Sequence, residues 1–153
     1  MSGILLFNPY YSQKKKYYSF YRPAAPLGLM YLAAYLRKYN VPSKIFELGV
    51  YDIKQAISLR ERVRFGLSDK AIGKILKEEK PKIVGITSMY SIYYRDVMEI
   101  AKTIKKYNSK IIVVIGGNHP SSFWNFVLKD KNIDFVVLGE GEESFLELTR
   151  TIL

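Results

Sequence analysis

The chain has 153 residues, a formal net charge of +10, one histidine and no cysteine, with 48% hydrophobic and 25% charged residues. That length suits one domain with a sizeable core, and the composition is that of an ordinary globular protein. The lack of cysteine excludes disulfides, thiolate metal sites and an iron–sulfur cluster held by this chain, and a lone His119 excludes a centre built from several imidazoles.

Apolar runs alternate with helical patterns along the whole chain. Ile4-Leu5-Leu6-Phe7 is short, apolar and stopped by Asn8-Pro9, so it reads as a buried strand. Leu27, Met30, Tyr31, Ala34 and Tyr35 recur at helical spacing, and Asn40 with Pro42 ends that helix. Lys44 to Leu48 reads as a second strand. From Val50 to Lys80 the pattern is weaker: Tyr51 to Phe65 is expected as a further helix or a loop, and Ser68 as the N-cap of a helix carrying Ile72, Ile75 and Leu76. Ile83 to Thr87 is a third strand, and Val97, Ile100, Ala101 and Ile104 mark the next helix. Ile111 to Ile115 is a fourth strand and Phe135 to Leu138 a fifth. Phe145, Leu148, Thr149 and Ile152 form the stripe of a closing helix.

Apolar strands separated by amphipathic helices predict βαβ units and a parallel sheet covered on both faces. Right-handed crossovers and five strands favour a flavodoxin-like or Rossmann-like three-layer α/β sandwich, strand order 2-1-3-4-5, with residues 1–153 as one domain. In such sheets ligands bind beyond the carboxyl ends of the strands, near the switch between strands 1 and 3. The segments there are Asn8 to Pro26, a long loop rich in Tyr and Lys; Thr87-Ser88-Met89-Tyr90; Gly116-Gly117-Asn118-His119-Pro120; and Gly139-Glu140-Gly141-Glu142. Glycine directly after a buried strand lets another group approach the backbone. One such glycine is most simply a tight turn at positive φ. Two pairs on one sheet edge favour a ligand.

Familiar alternatives fail at these positions. No GxGxxG follows the first strand and no GxxxxGK[ST] occurs. Asn8-Pro9 and Thr87-Ser88 stand where a receiver domain needs its acidic residues and phosphorylatable Asp. Asn8-Pro9-Tyr10-Tyr11 is unlike a flavodoxin phosphate loop.

Four segments, in this order and spacing, resemble the cobalamin-binding domain of cobalamin-dependent radical S-adenosylmethionine proteins. They are Pro26 to Leu36, Pro81 to Thr87, Val114 to Pro120 and Val137 to Glu142; the GGxHP and GEGE pair is the most specific element. The resemblance implies a corrin over the strand carboxyl ends and a nucleotide tail running into the sheet edge. Gly116 and Gly117 would make room for the tail, Ser88 would lie near it, and Glu140 would accept hydrogen bonds. The cofactor-binding set so implied is Asn8, Pro9, Thr87, Ser88, Met89, Tyr90, Gly116, Gly117, Asn118, His119, Gly139, Glu140 and Gly141. The DxHxxG motif that supplies a cobalt-ligating histidine in cobalamin-dependent methionine synthases and mutases is replaced here by Asn8 to Gln13. The resemblance therefore implies a base-off cofactor without histidine ligation, and His119 is read as a turn residue rather than a metal ligand. The family's second domain carries CxxxCxxC. This chain has no cysteine, so it is expected to be a fragment or freestanding relative of a two-domain enzyme, methyltransferase-like and not catalytic alone. Its expected partner is a radical S-adenosylmethionine catalytic domain.

The first 46 residues hold seven Lys or Arg and no Asp or Glu. Tyr10, Tyr11, Lys14, Lys15, Lys16, Tyr17, Tyr18, Phe20, Tyr21 and Arg22 interleave aromatic and basic groups, a pattern that stacks bases and holds phosphates. A ligand lid or interface ranks first for this loop. A nucleic-acid-binding or cofactor-free interaction module ranks second. An independent enzyme using Glu140 and Glu142 as an acid–base pair ranks last, because Glu142 and Glu143 suit the first turn of the last helix. No apolar run is long enough to span a bilayer, and MSGILLFNPYY lacks the basic and cleavage features of a signal peptide, so a cytoplasmic protein without a membrane segment is expected.

Overall fold

A computed structural model of the chain describes residues 3–15, 25–49 and 56–153. In chain order the elements are β1 (Ile4–Asn8), β2 (Tyr11–Lys14), α1 (Leu27–Lys38), β3 (Ser43–Glu47), β4 (Ile57–Ser58), β5 (Arg62–Phe65) and α2 (Asp69–Glu79). Next come β6 (Ile83–Thr87), a 3₁₀ turn (Ser91–Tyr93), α3 (Tyr94–Tyr107), β7 (Ile112–Gly116), α4 (Asn118–Val127), β8 (Phe135–Val136) and α5 (Glu142–Ile152).

The main sheet is five-stranded in the order β3-β1-β6-β7-β8, and every pair is parallel. Counted by its own strands this is the expected 2-1-3-4-5. Alternation along the strands divides the core. Leu5, Phe7, Val84, Ile86, Val113 and Ile115 pack with α2 and α3 on one face. Ile4, Leu6, Ile83 and Val114 pack with Leu29 and Leu36 of α1 and Phe145 of α5 on the other. The helices end as their sequences dictate. Ser68 accepts the Ala71 N–H at 3.2 Å to cap α2, and Lys80 closes that helix in the left-handed region at φ 48°.

The structure corrects three expectations. The segment Asn8 to Pro26 is not all loop, because Tyr11–Lys14 is a strand. The part of Tyr51 to Phe65 that is described, from residue 56 onward, is not a helix but two strands, β4 and β5, joined by the short turn 59–61. These form a second antiparallel sheet, β2-β5-β4, with Tyr11 opposite Phe65 and Lys14 opposite Arg62. Gly116 to Pro120 is not a free turn. Asn118, His119 and Pro120 open α4, where proline is tolerated because a first-turn N–H has no intrahelical partner anyway. Lys16, Tyr17, Tyr18, Phe20, Tyr21 and Arg22 of the aromatic and basic loop lie outside the described residues, as do Val50 and Tyr51.

One buried node pins the second sheet to α3. Asp96, in the first turn of α3, is 4% exposed and accepts the Ser12 N–H at 2.7 Å. Arg62 donates to the Ser12 carbonyl, and Arg64 lies over the Tyr10 ring at 4.3 Å while pairing with Asp69 at 2.7 Å. Burial raises the Asp96 pKa, against the opposing Ser12 hydrogen bonds and the charges of Arg62 and Arg64. A raised carboxyl pKa means that stability is greatest below the unfolded value and declines as pH rises through the folded one. At neutral pH the charge itself is thus a net burden, and the accepted hydrogen bond is the asset. Asp96→Asn should change stability by less than about 1 kcal/mol. Asp96→Ala, which strands the Ser12 N–H, should cost about 2 kcal/mol in urea melts. Equal losses in the two variants would contradict this account.

Candidate functional site

A hollow of about 290 Å³ runs between the α1/α5 face of the sheet and those helices, and it opens at the carboxyl ends of β6, β7 and β8. Its depth is apolar: Leu6, Leu29, Leu32, Val114, Val137 and Phe145. Polar side chains gather at the mouth, where Thr87, Asn118, Glu140 and Glu142 line it. Small-molecule pockets span about 300–1,000 Å³, so this one suits an appended group of a large ligand rather than all of it.

Backbone geometry shapes the mouth. The Ser88 N–H donates to the Gly116 carbonyl at 2.7 Å, and the His119 N–H donates to the Ser88 carbonyl at 3.1 Å. Gly117 sits at φ 111°, and a Cβ there would lie 2.8 Å from the Ser88 oxygen. This glycine is required by the turn itself, as the simpler reading of the motif holds. Gly28 differs. It occupies the first turn of α1, lines the hollow, and has no atom within 4 Å of where its Cβ would stand. Glycine in a helix forfeits stability relative to alanine, and packing gives no reason for it here.

Thr87, Met89, Gly116, Gly117, Asn118, Gly139, Glu140 and Gly141 all line the main hollow, so eight of the thirteen residues implied by the sequence converge there. Asn8, Pro9, Ser88 and Tyr90 line a second hollow of about 20 Å³, room for one water, shared with Thr87 and Met89. The Ser88 hydroxyl is buried there without a hydrogen-bond partner. Asn8 donates to Glu47 at 2.6 Å, and Glu47 also accepts the Gly49 N–H at 2.9 Å, which closes the end of β1 onto β3. Glu142 and Glu143 stand in the first turn of α5, where the helix dipole favours them.

His119 lines neither hollow. Its ring lies 4.3 Å from Tyr94 and 5.1 Å from Phe123, centroid to centroid, with Nδ1 2.8 Å from Ser91 Oγ and Nε2 buried without a partner. Burial lowers its pKa from 6.5 and pushes that of the Tyr94 phenol up to about 12. Sequence reasoning missed the walls of the hollow, Leu29, Leu32 and Phe145, and also Gly28. Phe145 fell inside an ordinary helical stripe, whereas Gly28, Leu29 and Leu32 lie off the stripe read for α1: Leu27, Met30 and Tyr31 of that stripe are exposed, and Leu29 and Leu36 are the buried ones. Among the described residues, no group of three His, Cys, Asp or Glu is placed to hold a metal ion, and no helix is long and apolar enough to cross a membrane.

A doubly wound α/β domain with an apolar hollow at its strand carboxyl ends belongs to the class that binds ligands beyond those strand ends. Comparison makes the class particular: the family model described as the B12 binding domain matches residues 19–149, and the chain belongs to that family. It is 37% identical to cytidylyl-2-hydroxyethylphosphonate methyltransferase of Streptomyces wedmorensis over 146 residues, 94% of this chain and 27% of the relative. It is 39% identical to an uncharacterized methyltransferase of Pyrococcus horikoshii over 124 residues, 80% of this chain and 24% of the relative. It is also 36% identical to the cobalamin-dependent radical SAM methyltransferase TokK of Streptomyces tokunonensis over 75 residues, 48% of this chain and 11% of the relative. The chain thus spans about a quarter or less of the length of these relatives.

Gly28→Ala and Gly73→Ala, the latter at another helical glycine with open space around it, should each raise stability by about 0.5 kcal/mol. Only Gly28→Ala should weaken uptake of a corrin, roughly tenfold, because its methyl stands in the hollow; equal uptake by both would remove Gly28 from the site. Separately, a His pKa lowered by burial gives stability that is complete above 6.5 and is lost as pH falls toward the folded value. The melting temperature should drop as pH falls below 6.5, and His119→Gln should flatten that slope. An unchanged slope would exclude His119 as its source.

Proposed function

We propose that this domain binds cobalamin base-off, with the nucleotide tail in the hollow between α1, α5 and the sheet and with no histidine on cobalt. It would serve as the cobalamin module of a larger radical S-adenosylmethionine methyltransferase. The observation that carries the reading is the open apolar hollow among the glycine turns of β6, β7 and β8, joined to membership of the B12 binding domain family.

The residues present fit the group. The hollow has the size of an appended base rather than a corrin, its walls are aliphatic and aromatic, and Gly28 and Gly139 leave space where side chains would otherwise intrude. Thr87, Asn118 and Glu140 would meet the polar sugar and phosphate portion at the mouth. The unspent Ser88 hydroxyl lies in the adjoining small hollow, which shares Thr87 and Met89 with this one. Cobalamin, when bound, would supply a cobalt centre able to carry a methyl group; the protein's part is to hold and orient it.

Support for the unligated state comes from the segment after β1. Tyr10 is fully buried in the core, and Tyr11 packs its ring 4.4 Å from that of Tyr93. Burial, then the charge of Glu47, raises the Tyr11 pKa, which disfavours the phenolate form that a metal would bind. The chain's single imidazole is enclosed by Tyr94 and Phe123 instead.

The membership of TokK in a cobalamin-dependent radical SAM class, and the small share of each relative that the chain covers, support a catalytic partner domain supplied by a longer polypeptide. Purified protein mixed with hydroxocobalamin should retain corrin through gel filtration with a base-off absorption spectrum. Cobinamide, which lacks the nucleotide tail, should bind roughly tenfold or more weakly. Equal affinity for the two would remove the tail from the hollow. No retained corrin at high micromolar protein would end the reading, and salt-sensitive retention on heparin would then favour a nucleic-acid module.

A further inference from the structure

The fifth strand is short. β8 holds only Phe135 and Val136 in the ladder, and the Val137 N–H adds one bond to the Ile115 carbonyl at 2.9 Å. Beyond Val137 the chain must still place Leu138, Gly139 and Glu140 across the mouth of the hollow. Gly139 stands at φ 65° with nothing within 4 Å of its Cβ position, so packing does not hold it.

A side chain from α4 reaches that turn. Ser121 Oγ donates to the Gly117 carbonyl at 2.9 Å and accepts the Gly139 N–H at 3.0 Å. The first bond is the ordinary back-bond of a helical serine to the carbonyl four residues earlier. The second crosses to another segment, 18 residues on. One hydroxyl therefore bridges the two glycine turns that bound the hollow. Its Gly117 end is itself fixed by the Ser88 carbonyl, through the His119 N–H and the missing Cβ.

We propose that Ser121 is a positioning residue: its hydroxyl clamps the turn after β8 to the turn after β7 and so sets the width of the mouth through which the cofactor's appended group enters. The cofactor's entry rests on the cobalamin reading of the hollow. The clamp itself does not.

Ser121→Ala removes both bonds. Ser121→Thr keeps a hydroxyl that can back-bond in a helix, and Ser122→Ala, at the exposed neighbour, controls for helix propensity. Hydroxocobalamin titration should give a dissociation constant roughly tenfold higher for Ser121→Ala, within about twofold of the parent for Ser121→Thr, and unchanged for Ser122→Ala. Thermal melts verify that all three are folded at the titration temperature. Hydrogen exchange of the Gly139 amide, followed in the ligand-free protein, should quicken in Ser121→Ala and return to the parent rate in Ser121→Thr. Parent-like corrin affinity in Ser121→Ala, or failure of Ser121→Thr to restore it, overturns the positioning role. An unchanged Gly139 amide overturns the clamp. A parent protein that takes up no corrin ends the cobalamin reading instead, and the exchange measurement still decides whether the clamp exists.

Discussion

The contact between the Ser88 carbonyl and the turn at Gly117 governs the architecture of the strand ends. That oxygen accepts the His119 N–H and occupies the place of any Cβ on Gly117, while the Ser88 N–H is spent on Gly116. Three backbone groups thereby fix where β7 stops, where α4 starts and which way α4 leaves the sheet. A side chain at residue 117 would meet backbone, which cannot rotate aside as a flexible side-chain tip can. The aromatic surroundings of His119 follow from the same geometry, because the helix that carries the imidazole has only one exit direction.

That direction explains why one face of the sheet is filled and the other is left open. On the α2/α3 face, Ile86, Ile115, Val97 and Val127 close the core up to the strand ends. On the α1/α5 face the side chains thin toward those ends, with glycine at 28, 85 and 116 beside aliphatic walls. Protein interiors are normally packed like organic crystals, and a sealed void of this size would be costly. This hollow is not sealed. Its rim includes the exposed Asn118, Gly139 and Glu140, so solvent or a ligand fills it. Gly85 shows that the thinning has a packing component as well. A Cβ there would meet Leu6 at 3.0 Å and Phe145 at 3.3 Å, so the ring that forms the inner wall can approach the sheet only because residue 85 is bare.

Those features were unequally legible in the sequence. The parallel sheet and its order follow from apolar runs such as Ile83 to Thr87 alternating with helical stripes, and periodicity of that kind needs no distant information. The glycine turns were visible as motifs because two glycine pairs each follow an apolar run, Ile111 to Ile115 and Phe135 to Leu138. The second sheet was not visible. Arg62-Val63-Arg64-Phe65 does alternate with the period of a strand, but over only four residues, and its partner Tyr11–Lys14 lies some fifty residues earlier with no turn between them to set register. Helix α4 was hidden by its own chemistry, since Asn118 and Pro120 read as turn residues and the kink at Phe123, with φ −129° and ψ 29°, breaks the stripe. Ser121 was illegible for a different reason. A serine that bridges two turns has the same local sequence as one that caps or solvates a helix, and only the meeting of β7 and β8 gives it a second partner.

The second sheet gives a physical reason for a charge inside the core. An apolar residue at Asp96 would pack against α3's neighbours but would leave the Ser12 N–H without an acceptor, because β2 uses its ladder bonds toward β5. A carboxylate supplies that acceptor from the first turn of α3, and the fields of Arg62 and Arg64 offset part of its desolvation. Buried ionic groups contribute little net stability, yet they reject alternative arrangements that leave them unpaired. Sliding β2 by one residue along β5 would move Ser12 away from Asp96 and turn Tyr10 out of the core. The node therefore holds the register of β2, and with it the position of Tyr11 against Tyr93 beside the carboxyl end of β1. In this way the packing of a peripheral sheet decides which side chain stands at the carboxyl end of β1.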